Sequence, residues 1–262
     1  DHRDLHSFPT RRSSDLMSNM TDTQQLPSFT TVVSGQLRII TSDINTRPMS
    51  FVDDGRRQGF EPALTRIVCD RLGLEPMWFD IPLKKFYSTL RTGEYDVIWF
   101  NQIITQERRA RADFTRAYGR FDTAVLVRED SPIEDRSHLS GRRIGVIQES
   151  VSRQLLEVLP ADIDPVYFDG TKDVEIAMLQ ALREGHIDAV VEDALILLAT
   201  EAQNTGVRVA FEIPSQHPFG IAVLPGNREL LDALNSILSG LMIDGTLNRL
   251  WGQWIPFKSY PF

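Results

Sequence analysis

The chain has few of the features that mark disulfide-stabilised, nucleic-acid-binding or membrane-spanning proteins. A single cysteine, Cys69, excludes an internal disulfide and any metal site built from several cysteines. With 28 Lys and Arg against 36 Asp and Glu, the net charge of −8 argues against a nucleic-acid partner, which needs a basic face. No stretch approaches the roughly 20 apolar residues of a membrane span. What is left is an ordinary globular composition over 262 residues, enough for two modest domains.

Enzyme signatures are missing as well. The sequence contains no G-x-S-x-G, Walker, G-x-G-x-x-G or H-E-x-x-H motif. Outside the N-terminal segment, the histidines His138, His186 and His217 lack the spacing of metal ligands. Cys69 falls within the apolar periodicity of a predicted helix, which indicates a core residue. We therefore expect no metal and no cofactor, and we assign no catalytic residue.

The first 35 residues differ from the rest of the chain. Residues 1–16 carry no periodicity, precede Met17 and resemble a translated sequencing-adapter remnant, so they are excluded from fold reasoning. From Met17 to Gly35 the chain is polar, without the charged and apolar regions of a secretion signal. We expect residues 1–35 to be a non-native or disordered segment. Whether a signal peptide was lost upstream of Met17 stays open.

From residue 36 onward, strand-like and helix-like stretches alternate. The strand LRIIT (37–41) is followed by a helical period over 60–72, a strand over 76–81, a helix over 83–93 and a strand over 95–100. This order predicts a parallel sheet with crossover helices. The same alternation restarts at residue 142 and continues to about residue 203.

Two extended apolar runs, 121–130 and 207–224, flank this second unit. They predict an α/β protein with two lobes that the chain crosses twice. We expect lobe 1 to contain residues 36–125 and 217–262, and lobe 2 to be the insertion 126–216. Two crossings restrict relative motion to a hinge, which favours closure around a ligand.

Polar side chains follow several predicted strands, at the sheet edge where open α/β folds bind ligands. They include Asp43, Asn101, Glu149, Ser150 and Asp193.

Several segments together resemble the family 3 bacterial extracellular solute-binding proteins, the receptors of polar amino-acid ABC transporters. IITQERRARADFTRAY (103–118) is similar to the family's I-T-x-E-R…D-F-[ST]-x-x-Y segment. QGFEPALTRIVCDRLGL, LREGHIDAVVED and DGTLNRLWGQWI match further segments in the family's order, over nearly all of 36–256. The resemblance implies a type II periplasmic-binding-protein-like fold, a membrane permease as partner, a monomer, and a periplasmic or extracellular location.

The resemblance also implies roles for two charged residues. Arg108 is the arginine of I-T-x-E-R, which binds the ligand carboxylate in the family, and a guanidinium suits this role because it forms two parallel hydrogen bonds. Asp193 closes the D-A-x-x-x-D segment and corresponds to the family's amine-binding acid. Without the resemblance, both residues would be interpreted as ordinary surface charges.

The surroundings of this pair depart from the family's pattern. Asn101 and Ile103 stand where a small residue and a hydroxyl are usual. Glu149 and Ser150 replace the first two residues of Gly-Thr-Thr, so Ser150 retains a hydroxyl while Glu149 adds a negative charge that favours a cationic ligand.

The predicted walls of the pocket depart from the family in the same way. Thr46 and Leu83 fall where the family has aromatic residues, and Phe100 is either a replacement wall or a core residue. The resemblance thus implies a protein that binds an amino acid or a similar carboxylate with an amine, and delivers it to an ABC transporter.

Two alternatives to this function stay open at this point. One is a dehydratase on the same fold, related to enzymes of carboxylated cyclohexadienes, with Glu149 as the candidate general acid. The other is a cytoplasmic ligand sensor, suggested by the missing signal peptide.

Overall fold

The computed structural model describes residues 28–148 and 152–262. Its strands are β1 (Gln36–Thr41), β2 (Phe51–Asp53), β3 (Arg56–Gln58), β4 (Glu75–Asp80), β5 (Val97–Ile98), β6 (Asp113–Phe114), β7 (Gly119–Arg128), β8 (Arg143–Ile147), β9 (Asp164–Phe168), β10 (Ala189–Asp193), β11 (Val207–Phe219) and β12 (Ala222–Val223). Its helices are α1 (Phe60–Leu72), α2 (Phe86–Leu90), α3 (Gln106–Arg109), α4 (Ser152–Glu157), α5 (Val174–Arg183), α6 (Ala194–Gln203), α7 (Arg228–Ile243) and α8 (Thr246–Trp254). Single 3-10 turns lie at Leu83–Lys85 and Arg136–Leu139.

The first sheet has the strand order β4-β1-β5-β12-β6. β1 runs parallel to β4 and β5, whereas β12 is antiparallel to β5 and β6. Helix α1 crosses from β1 to β4 and buries Phe60, Leu64 and Val68 against the core. It ends at Gly73, which takes the left-handed conformation that glycine adopts without strain.

The second sheet has the order β11-β7-β10-β8-β9. β8 pairs in parallel with β9 and β10, and β7 pairs antiparallel with β10 and β11. Helices α4, α5 and α6 connect its strands, as the sequence predicts. Each sheet with its helices forms one lobe, so the two-lobed α/β architecture is confirmed.

The chain passes between the lobes twice, after β6 and after β11. β7 and β11 form a long antiparallel pair that reaches the crossings, with Gly119 opposite Phe219. A Cβ at Gly119 would lie 2.2 Å from the Phe219 ring, so glycine is required for this close approach. The predicted lobe boundaries at 125/126 and 216/217 fall inside these two strands and stay predictions.

In the parts of the chain that the structure describes, no single helix is both long and apolar enough to span a membrane. The pair α7–α8 passes this test only when joined, and it is bent by 79° at its break.

Candidate functional site

A cavity of about 540 Å³ lies between the two lobes. Its walls come from the loops after β1 and β5, from α3, and from β10 with α5 and α6 of the second lobe. The loops after β1 and β5, the last residue of β8 (Ile147) and the helix after β10 contribute to it, so it lies beside the carboxyl ends of these strands, where open α/β folds bind ligands. Its volume suits a small molecule.

Arg108 reaches this cavity from α3. The short helix begins after Thr105, whose side chain accepts the Arg108 main-chain N–H at 3.1 Å. The guanidinium donates to the Ile103 carbonyl at 3.2 Å and lies 5.9 Å from the centre of the Tyr87 ring. Burial lowers the pKa of Arg108. Within the described residues, Arg108 has no ion-pair partner, so part of its donor set is free to bind an anion.

Asp193 lies at the end of β10, but its carboxylate does not line the cavity. Its Oδ1 accepts the Leu195 N–H at 2.7 Å and caps the N-terminus of α6. Its Oδ2 accepts from the Asn101 Nδ2 at 2.9 Å, across the interface between the lobes. The side chain is completely buried, and burial raises its pKa well above the usual range.

Asn101 is held in place by a buried acid of the first lobe. Its main chain has a φ of 46°, a left-handed conformation that Asn tolerates better than most residues. Its N–H donates to both carboxylate oxygens of Glu61, at 2.8 and 2.9 Å. The Tyr118 hydroxyl at the first crossing also donates to Glu61. Tyr118, Glu61, Asn101 and Asp193 therefore form one chain of hydrogen bonds that we call the crossing network.

Glu192 is the second-lobe acid that faces the cavity. Its side chain is 7% exposed, and its Oε1 accepts the Asp193 N–H at 3.1 Å. Its Oε2 is buried without a hydrogen-bond partner among the described residues. Burial raises the pKa of Glu192 to about 7. Glu192 is not among the residues predicted from the sequence.

The structure brings together half of the predicted site residues. Those that line the cavity are Thr46, Leu83, Phe100, Asn101 and Arg108. The Phe100 side chain is 5% exposed and packs edge-on against Phe86, so it contributes to both the wall and the core.

Two other predicted residues lie outside the cavity. Asp43 is exposed in an adjoining groove of about 590 Å³, which shares Leu83 with the cavity. Ile103 is buried beside β11 and contributes only its carbonyl, which holds Arg108. Glu149 and Ser150 lie outside the described residues.

Two polar residues of the first lobe complete the site. Tyr87 donates its hydroxyl to the Gln102 Oε1 at 2.9 Å, and its ring lies beneath both Arg108 and Arg111. Burial raises the pKa of Tyr87 to about 12, so the hydroxyl stays protonated. Tyr87 falls within the apolar period of its helix and Gln102 follows a strand; neither has a motif that distinguishes a pocket residue from a core residue.

The described residues contain no group of three or more His, Cys, Asp and Glu side chains that would hold a metal ion. The polar groups of the cavity instead suit an organic ligand, with a cation on the first lobe and an acid on the second.

Comparison with known proteins agrees with this geometry. The family model for bacterial extracellular solute-binding proteins, family 3, matches residues 38–257. The ABC transporter arginine-binding protein 1 of Escherichia coli (strain K12) is 26% identical over 203 residues, which cover 76% of this chain and 82% of that protein. A solved ancestral arginine-binding protein bound to arginine is 30% identical with a TM-score of 0.76, and the match covers 84% of this chain and 98% of that structure.

Another similar structure bears on the enzyme alternative. It is an ancestral amino acid-binding protein described as a precursor of cyclohexadienyl dehydratase, with 26% identity and a TM-score of 0.75 over 84% of this chain and 96% of that one. The fold is therefore shared with a lineage that led to an enzyme, while the relatives named above are binding proteins.

Proposed function

Because the chain belongs to the family 3 bacterial extracellular solute-binding proteins, we propose that it captures a small amine-bearing carboxylate between its lobes and delivers it to an ABC transporter. The observation that supports this most directly is Arg108, which lines the cavity without an ion-pair partner among the described residues. A desolvated guanidinium gains most from a carboxylate that fits its planar fork.

The opposite wall supports the amine half of the proposal. Asp193 and Glu192 lie in sequence at the end of β10, on the second lobe, and Glu192 lines the cavity. A ligand with a carboxylate at one end and a positive charge at the other would contact both lobes and stabilise the closed arrangement. The two crossings between the lobes allow such a hinge motion. We further propose a location outside the cytoplasmic membrane, which the word extracellular in the family description supports, and a monomer.

Binding can be tested by thermal shift and titration calorimetry against the standard amino acids and simple carboxylates. A ligand that binds only the folded state raises the melting temperature. Arg108→Ala is expected to weaken binding by about a hundredfold, since it removes the partner of a desolvated charge. Arg109→Ala is the matched control, because the neighbouring Arg109 is exposed and does not line the cavity. Equal affinities in the two variants would refute the role of Arg108.

Hinge closure can be tested separately, by measuring the radius of gyration. Small-angle scattering should show a smaller radius of gyration when a ligand found in this screen is added, and Arg108→Ala should abolish the change. A radius that ligand leaves unchanged would argue against capture by closure.

A further inference from the structure

The acid that the sequence pattern assigns to the ligand amine is already occupied. Asp193 uses one oxygen to cap α6 and the other to accept the Asn101 amide, and its side chain has no exposed surface. Glu61 accepts the Asn101 main-chain N–H and so fixes the backbone from which the Asn101 amide reaches Asp193. The Asn101 amide thus occupies the side of Asp193 that an incoming ammonium group would need.

Glu192, in contrast to Asp193, has a carboxyl oxygen that is available to a ligand. Its Oε2 is buried and unpartnered among the described residues, and the side chain lines the cavity. A carboxyl oxygen that is removed from water without a donor lowers stability, so a donor that reaches it contributes favourably. The Asp193 N–H fixes the other oxygen at 3.1 Å and so orients the group.

Backbone geometry explains why one acid replaces the other. Successive side chains of a strand point to opposite faces, so Glu192 and Asp193 at the end of β10 cannot both face the cavity. The larger residue at position 101, where the family usually has a small one, satisfies Asp193 from the first lobe. Glu192 is then the acid of β10 that faces the cavity.

We infer that Glu192, rather than Asp193, binds the positively charged group of the ligand, so the pocket selects carboxylates that carry a cation able to reach Glu192. This inference rests on the proposed function for the carboxylate end at Arg108. It makes Glu192 a specificity-determining residue.

The test uses four six-carbon carboxylates, which are hexanoate, L-norleucine, 6-aminohexanoate and L-lysine. They carry no amine, an α-amine, a terminal amine, or both, so pairwise ratios of dissociation constants isolate each ammonium group. In the unaltered protein, at least one amine should tighten binding by about tenfold or more, as expected for a hydrogen bond to a charged group. Calorimetry near pH 8 keeps Glu192 largely ionised, since its pKa is about 7.

Glu192→Gln should reduce that ratio to about one, while hexanoate binding stays within about threefold of the unaltered protein. Asp193→Asn should retain the ratio. Glu94→Gln is the charge-matched control, because Glu94 is exposed and lies outside the cavity. The inference would be overturned if Glu192→Gln kept the ratio of the unaltered protein. It would also be overturned if none of the amines changed the affinity of the unaltered protein. The proposed carboxylate site is judged separately, by whether Arg108→Ala loses hexanoate.

A further variant, at Asn101, tests why Glu192 and not Asp193 would bind the ligand cation. Asn101→Ser shortens the side chain and frees the Asp193 Oδ2, so the preference for L-norleucine over hexanoate should increase by about tenfold. If folded Asn101→Ser protein showed the same preference, Asn101 would not be what keeps Asp193 from binding the ligand amine. That result would also overturn the inference.

Discussion

Buried Glu61 should make the protein less stable at alkaline pH. The carboxyl group lies in the first turn of α1 with 1% exposure, and burial raises its pKa from 4.5 to about 7 despite hydrogen bonds from Tyr118 and Asn101. The folded state therefore holds the Glu61 proton more tightly than the unfolded chain does. Its contribution to stability is complete below about pH 4.5 and is lost as the pH rises through 7.

The magnitude follows from the two pKa values. Each pH unit between them corresponds to about 1.4 kcal/mol, so Glu61 should remove about 3 kcal/mol of unfolding free energy between pH 5 and pH 8.5. Two other buried acids near Glu61, Asp193 and Glu192, should also lower the stability of the protein as the pH rises. The Asp193 carboxylate lies beyond Asn101, and Glu192 beside Asp193 also has its pKa raised to about 7.

Glu61→Gln isolates this effect, because glutamine keeps the shape but carries no charge. At pH 5 the variant should be less stable by about 1 kcal/mol, since its amide nitrogen faces the Asn101 N–H and one hydrogen bond is lost. At pH 8.5 it should be more stable than the unaltered protein by about 2 kcal/mol, because it has no buried charge to form. The two stability curves should therefore cross.

Urea unfolding followed by tryptophan fluorescence between pH 5 and pH 8.5 measures both curves. Glu94→Gln serves as the control, because the exposed Glu94 side chain loses the same charge without burial. Parallel curves for Glu61→Gln and the unaltered protein, with no crossing, would refute the reasoning.

Two further predictions concern positions away from the cavity. Asp96 is completely buried and accepts two main-chain N–H groups at 2.7 and 2.8 Å, so Asp96→Ala should lower the unfolding free energy by about 3 kcal/mol and Asp96→Asn by about 1 kcal/mol, as measured in urea. Gly119→Ala would place a methyl group against the Phe219 ring and should cost about 1–3 kcal/mol. Gly252→Ala, in open space on α8, should instead stabilise by about 0.5–1 kcal/mol, and the opposite order of the two melting temperatures would contradict this packing argument.

The sequence predicts best those elements whose ends are determined locally. Helix α1 is an example, because its apolar period, Pro62 in the first turn and Gly73 after the last turn all indicate the same bounds. The strand predicted over 95–100 is shorter in the structure, where β5 covers only Val97–Ile98. Its end depends on the left-handed turn at Asn101 and on Glu61, which is distant in sequence, and no local pattern reports such a contact.

The site shows the same division between local and long-range information. The sequence places Asp193 directly after a predicted strand, and in the structure it ends β10 and is the N-cap of α6. That capping role turns its carboxyl group away from the cavity, and no sequence pattern indicates this, since either acid of the Glu192–Asp193 pair could face inward. The choice depends on the pairing register of β10 and on which face of its sheet is turned toward the cavity. Glu192 lies opposite Ala124 of β7, and Asp193 lies opposite Thr123.

The crossing network links ligand recognition to the movement of the lobes. Tyr118 lies in the first crossing, Glu61 and Asn101 belong to the first lobe, and Asp193 belongs to the second. The Asn101–Asp193 bond joins the two lobes, and a hydrogen bond typically contributes about 0.5–1.5 kcal/mol. A bond of that strength shifts the balance between open and closed forms by about two- to tenfold. Because the protein itself supplies the Asn101–Asp193 bond, a ligand that binds through Arg108 and Glu192 would bind to lobes whose equilibrium is already shifted toward the closed form.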